Sequence, residues 1–174
     1  NIFSIYHQNI PSNSIMLGGQ YGDDDKNSSS NFSSVGSATF GHQTNSISNN
    51  ANENHIFYCF REIAGYSKFG AYEGNGNTDG VFLYTGFRPA WLMIKNVDTD
   101  GENWHMFDNK RAPQNVIKAR LIADGLTHEN TNDSIIDFTS NGFKLRDTNA
   151  GYNSAVTFVY FAFAETPFKY ANAR

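Results

Sequence analysis

The feature that most constrains this chain is the size and spacing of its apolar runs. FSIYH (3–7), HIFYCFR (55–61), GVFLYTGF (80–87), AWLMIKNV (90–97), NWHMFDN (103–109), SIIDFTS (134–140), GFKLRD (142–147) and VTFVYFAFAE (156–165) are short and rich in β-branched and aromatic residues. Gly, Asn, Asp or Pro separates them. Such residues suit a pleated, half-buried surface, and such punctuation suits turns, so the pattern predicts strands in an all-β, antiparallel two-sheet β-sandwich. Several runs are apolar at successive positions, which predicts inner strands covered on both faces. At most one short helix is expected, near 114–123 (QNVIKARLIA), where Val116, Ala119, Leu121 and Ile122 can share a face between Pro113 and Asp124-Gly125. The segment GDDDKNSSSNFSSVGS (22–37) reads as a long mobile loop with a solvated acidic cluster at Asp23, Asp24 and Asp25.

A half-repeat organises the chain. IFYCFRE (56–62) lies over VYFAFAE (159–165), with Phe60 on Phe163 and Glu62 on Glu165. At the same offset Thr39-Phe40 falls on Gly142-Phe143, and one residue out of step Pro11 and Asn13 fall on Pro113 and Asn115. The stretch from Tyr66 to about Glu102 has no counterpart in the first copy. Residues 1–65 are either the tail of a preceding repeat or one half of a single sandwich. With 174 residues in all, and so much Ser and Asn in the first 65, one domain over 1–174 is expected, built from halves of about 1–65 and 66–174 and forming a segment of a longer polypeptide.

Charge and motifs narrow the function. A formal net charge of -4 supplies no basic stripe for nucleic acid, and no run reaches the roughly 20 apolar residues of a membrane-spanning helix. The single cysteine, Cys59, excludes an internal disulfide, and its apolar run predicts a buried, inert thiol. The glycine cluster in YSKFGAYEGNGNTDG (66–80) superficially resembles a phosphate loop, but a strand-like run follows it and no Lys-Ser or Lys-Thr pair closes it. Its glycines and asparagines are expected to supply positive-φ turns between adjacent strands. Asp98 and Asp100 begin like a calcium loop, yet Asn109 stands where a bidentate Glu is required, so a hairpin turn is expected and no cofactor is called for.

None of the glutamates forms the Glu-x-Asp-x-x-Glu pattern of sandwich-fold glycosidases, and no His-Glu-x-x-His or Gly-x-Ser-x-Gly occurs. Asp108 and Arg111 read as a charged pair pinning a strand end. A binding surface remains. Tyr72, Tyr84, Trp91 and Trp104 can stack on sugar rings, and Asn75, Asn77, Asp79 and Asn103 can hydrogen-bond hydroxyls. Burial competes for each aromatic: Trp91, in AWLMIK, reads as core, whereas Trp104, beside the polar turn 98–103, reads as surface. The candidate ligand residues are therefore Trp104, Tyr72, Asn75, Asn77, Asp79 and Asn103.

The blocks GYSKFGAYEGNGNTDGVFLYTGFRPAWLMIK (65–95), WHMFDNKR (104–111), IIDFTSNGFKLR (135–146) and YFAFAETPFKYANAR (160–174) resemble a domain recurrent in tail-fibre and other virion proteins of marine tailed phages. The resemblance covers most of 56–174. It implies a concanavalin-A-like jelly roll in the virion, non-catalytic, serving in structure or host attachment through a host-surface glycan and other virion proteins, without nucleic acid or membrane insertion. Trimers are common in such fibres. The alternative it leaves is a capsid decoration or tail component touching only other virion proteins. It carries over no catalytic or ligand residues.

Overall fold

The structure is a computed structural model and describes residues 3–9, 15–17, 32–36, 38–42, 54–133 and 135–167. Its strands are β1 (Phe3–Ile5), β2 (Ile15–Leu17), β3 (Phe32–Val35), β4 (Phe40–His42), β5 (Ser67–Glu73), β6 (Phe82–Tyr84), β7 (Pro89–Asn96), β8 (Trp104–Asp108), β9 (Leu121–Ile122), β10 (Ile136–Thr139), β11 (Gly142–Leu145) and β12 (Thr157–Ala164). A five-stranded sheet runs β5-β12-β7-β8-β9 and a three-stranded sheet β10-β11-β6, every pairing antiparallel. The chain is thus an all-β, two-sheet sandwich, as its run lengths predict. β1 pairs with β2, and β3 with β4, as separate two-stranded ribbons.

Alternation along the strands builds the core. Leu92, Ile94, Phe107, Phe158, Tyr160 and Ala162 of the large sheet meet Leu83, Ile136, Phe138, Phe143 and Leu145 of the small one. Each fully buried side chain of this size contributes about 1.5–3 kcal/mol. The opposite face of the large sheet is also covered. There Met93, Val97, Trp104 and Val159 are buried, with Ile5, Trp91, Met106 and Phe161 packed against them, and the buried His7 ring stands edge-on to Phe161 at 5.1 Å. The unbroken apolar runs of β7 and β12 are explained: these strands lie second and third in the sheet with cover on both sides.

Four sequence expectations need correction. No helix occurs among the described residues, and 114–123 instead spans the two sheets. Ile117 bridges Ile136 of β10, while Leu121 and Ile122 extend the large sheet at β8. Ile117 and Ala119 are buried and Lys118 is exposed, a strand period. A ten-residue helix is marginal by itself, and two open strand edges offer its backbone better partners. Second, β3 falls inside 22–37, which was expected to be loop throughout; Asp23, Asp24 and Asp25, like Pro11 and Asn13, lie outside the described residues. Third, 55–61 forms no strand and Cys59 is exposed, although 157–164, which contains most of the matching run, is a central strand. Fourth, β5 and β6 belong to different sheets, so the glycine loop crosses between sheets rather than joining neighbours.

Within the glycine cluster 66–80, which spans β5 and that loop, only Gly76 has positive φ, at 62°. The other glycines there serve close approach. A Cβ on Gly70 would lie 2.7 Å from the Tyr160 hydroxyl oxygen, and one on Gly74 2.0 Å from the Ser154 carbonyl oxygen. Gly142, paired with Tyr84, is equally constrained, because its Cβ would sit 2.0 Å from the Leu83 carbonyl oxygen. Gly142→Ala is expected to destabilise the domain by about 2 kcal/mol through forced separation of β11 from β6. A chemical denaturation midpoint equal to that of the parent would refute this.

Candidate functional site

Along β6 the side chains alternate: Leu83 enters the core, and Phe82 and Tyr84 are 47% and 67% exposed. Two residues apart on one strand, their attachment points are about 6.5–7 Å apart on one face. Lys144 stands across from Phe82 and Gly142 across from Tyr84, so nothing rises from the neighbouring strand to cover Tyr84. Lys144 Nζ reaches Asp79 at 2.8 Å, and Arg146 Nε binds Asp137 at 2.6 Å. Both cations are thus paired with carboxylates, Lys144 directly across from Phe82. The hydrogen bond and charge of Lys144 keep the Asp79 carboxyl below its ordinary range.

The loop 74–81 flanks this face at the Phe82 end and is organised by amide side chains. The Asn75 and Asn77 carboxamide oxygens accept from the backbone N–H of Asn77 and Asp79, and Asn75 Nδ2 donates to the Asp79 carbonyl. Beneath it lies Asn153, fully buried. Its oxygen accepts from Asn75 N–H at 3.1 Å, and its amide donates to the carbonyls of Asn77 at 2.8 Å and Asp147 at 2.7 Å.

At the other end Tyr84 leans over Gly86 and forms one wall of a cleft of about 540 Å³ lined by Glu62, Lys68, Thr85 and Phe87 among others. Glu62 and Lys68 pair at 3.0 Å across it, and the second Glu62 oxygen accepts from Phe69 N–H. The Thr85 hydroxyl donates to the Phe87 carbonyl at 2.6 Å, fixing the turn. Loop, aromatic face and cleft therefore follow one another along β6. Ring faces with a charged pair at each end and amides at one can hold a polyhydroxylated ring by stacking and hydrogen bonding.

The residues expected to bind ligand are only partly brought together. Asn75, Asn77 and Asp79 share the exposed loop. Trp104, expected at the surface, is fully buried on the far face of the large sheet and has no ring face to offer. Tyr72 is core as well: it stacks on Phe158 at 5.0 Å and donates its hydroxyl to the Tyr152 carbonyl, and burial raises its pKa. Asn103 sits half-buried ahead of β8, remote in sequence from β6. Trp91, expected in the core, is half-buried against Phe163.

Asp98 accepts from Thr157 N–H, and Gly101, at φ 84°, completes a β7–β8 turn. Among the described residues no three of His, Cys, Asp and Glu converge as metal ligands. The Asp108–Arg111 pair, at 2.5 Å, does close the end of β8, with Arg111 also reaching Glu129 at 2.7 Å. Burial opposes the Asp108 charge, but hydrogen bonds from Arg111 and from Lys110 N–H hold its carboxyl below the usual range.

Phe82, Lys144 and Asn153 escaped the sequence reading of the site. A signal for the first existed, since in GVFLYTGF a core Leu83 places Phe82 and Tyr84 together on the other face.

A second polar group is structural. His105 is buried against Tyr152 at 5.4 Å and near Gly151, and burial, with Arg120 and Lys95 nearby, lowers its pKa to about 3. Lys95, on the opposite face, donates to the Glu102 carbonyl, and its own pKa is lowered by burial.

No curated protein and no solved structure matches the chain. A family model matches residues 1–167, and the chain accordingly belongs to the family described as a domain of unknown function, DUF7483.

Proposed function

We propose that this chain is a non-catalytic adhesion module of a phage particle that holds a host-surface glycan along β6. One observation carries the reading: Phe82 and Tyr84 project side by side from the solvent face of the small sheet, flanked by the Asp79–Lys144 pair and the Glu62–Lys68 cleft. Exposed aromatics held by a rigid sheet lose little entropy on binding and offer flat faces to sugar C–H groups. The resemblance to virion proteins of marine tailed phages supports the setting. On a bacterial surface-polysaccharide array, the parent chain is expected to bind, and Tyr84→Ala and Phe82→Ala each to weaken binding at least about tenfold with unchanged thermal midpoints. Uniform absence of binding by the folded parent would sink the proposal.

The exposed apolar run at 56–60 favours a second reading, an architectural component that contacts only other virion proteins. It predicts no glycan binding, and assembly that depends on that run.

A further inference from the structure

We infer that residues 56–60 are a self-association surface on which a second copy of this chain docks through the same run. Ile56, Tyr58 and Phe60 are 76%, 73% and 64% exposed, and Phe57 and Ile63 are 47% and 42% exposed. The run carries no turn or bend, and in an extended pairing with another strand Ile56, Tyr58 and Phe60 would share one side by the two-residue period. Among the described residues no hydrogen bond engages the backbone of Ile56, Tyr58, Cys59 or Phe60.

The run is held at Phe57, whose ring stands edge-on to Phe40 at 5.1 Å, and at its C-terminal end. Phe60 leans on Phe69 and Phe163, Ser67 Oγ donates to the Arg61 carbonyl, and Ile63 bridges Ser67. It is therefore a positioned apolar strip with strand-forming residues and open backbone groups at Ile56, Tyr58, Cys59 and Phe60. Its sequence counterpart, 159–165, lies almost wholly within β12, where it is paired on both edges.

The occupant follows from area and symmetry. With large side chains burying about 150–250 Å² each, these partly exposed residues offer roughly 500 Å² per copy, or about 1,000 Å² across two, where specific interfaces begin. An antiparallel run meeting its own copy across a two-fold axis is self-complementary, with Tyr58 at the axis and Ile56 facing Phe60. A net charge of -4 opposes this little at physiological salt.

Sedimentation of the 174-residue chain is expected to show a concentration-dependent dimer. Tyr58→Asp should raise the dimer dissociation constant at least about thirtyfold while leaving the thermal midpoint of the monomer unchanged, since Tyr58 is exposed. A spin label on Cys59, the sole cysteine, should report a short inter-label distance that Tyr58→Asp abolishes. A chain that stays monomeric at concentrations on the order of 100 µM overturns the inference. So does a dimer that Tyr58→Asp leaves intact, because the contact then lies elsewhere. Both readouts are independent of glycan binding.

Discussion

Acidification from pH 7.5 to pH 5 should cost this domain about 4 kcal/mol, a large part of the 5–15 kcal/mol typical of folded proteins. The cause is two buried neutral histidines. Burial lowers the pKa of His7 to about 4, against smaller opposing contributions from the Tyr160 backbone and Glu62. Burial, with Arg120 and Lys95 adding to it, lowers that of His105 to about 3. Each is 3% exposed, so water screens little of this. In the unfolded chain both take up a proton near pH 6.5, while in the folded chain neither does at pH 5. The unfolded state then binds more protons, and stability falls as pH falls from about 6.5 towards the folded values. Over 1.5 pH units this amounts to about 2 kcal/mol per histidine. Asp124, whose carboxyl is raised by burial, works in the opposite direction and offsets a fraction. Urea titrations at the two pH values measure the difference, and His105→Gln should remove about half of it. A flat profile, or a slope unaffected by His105→Gln, would show that these rings are not held neutral by burial.

Asn153→Leu is expected to lower stability by about 3 kcal/mol and to release the 74–80 loop. The substitution conserves volume but removes an acceptor and two donors that tie Asn75, Asn77 and Asp147 together. Three backbone groups lose partners, at about 1–3 kcal/mol for each that water cannot reach. Contacts to the surrounding backbone limit relaxation: a Cβ on Gly74 would meet Asn153 and Ser154, and Gly76 N–H donates to the Asn153 carbonyl at 2.6 Å. Asn153→Asp should fare no better, because it keeps the acceptor but turns a carboxylate towards two carbonyl oxygens. Denaturant midpoints give the energy, and amide exchange across 75–80 locates it. If exchange in that loop is as slow as in the parent, Asn153 is not its anchor. Because the loop presents Asp79 to Lys144 beside the aromatic pair, weaker glycan binding should accompany its release.

How much of this was legible in the residues differs between elements for a physical reason. β7, β8, β10, β11 and β12 appear in the sequence as short apolar and aromatic runs, because a strand's period and its preference for bulky side chains are local properties. Successive apolar positions in AWLMIKNV and VTFVYFAFAE also announced double-sided cover, since a strand exposed on one face would have to alternate. HIFYCFR carries the same local signature and is no strand. Local composition states that a segment can pair; whether an edge is available depends on the rest of the fold. Conversely, QNVIKARLIA has helical spacing but is drawn out between two sheet edges by hydrogen bonds to residues distant in sequence, among them Ile136 and Trp104.

The sandwich class was therefore determined by the sequence alone, through run length and period. Which aromatics meet solvent was decided only by the tertiary structure. Trp104 stands beside a polar turn yet is sealed by residues from β12 and the N-terminal segment, whereas Phe82, in an apolar run, faces outward because Leu83 fills the core. A side chain's neighbours in the chain set which face it can occupy. Whether that face is covered depends on segments brought over it by packing, and no local pattern records those.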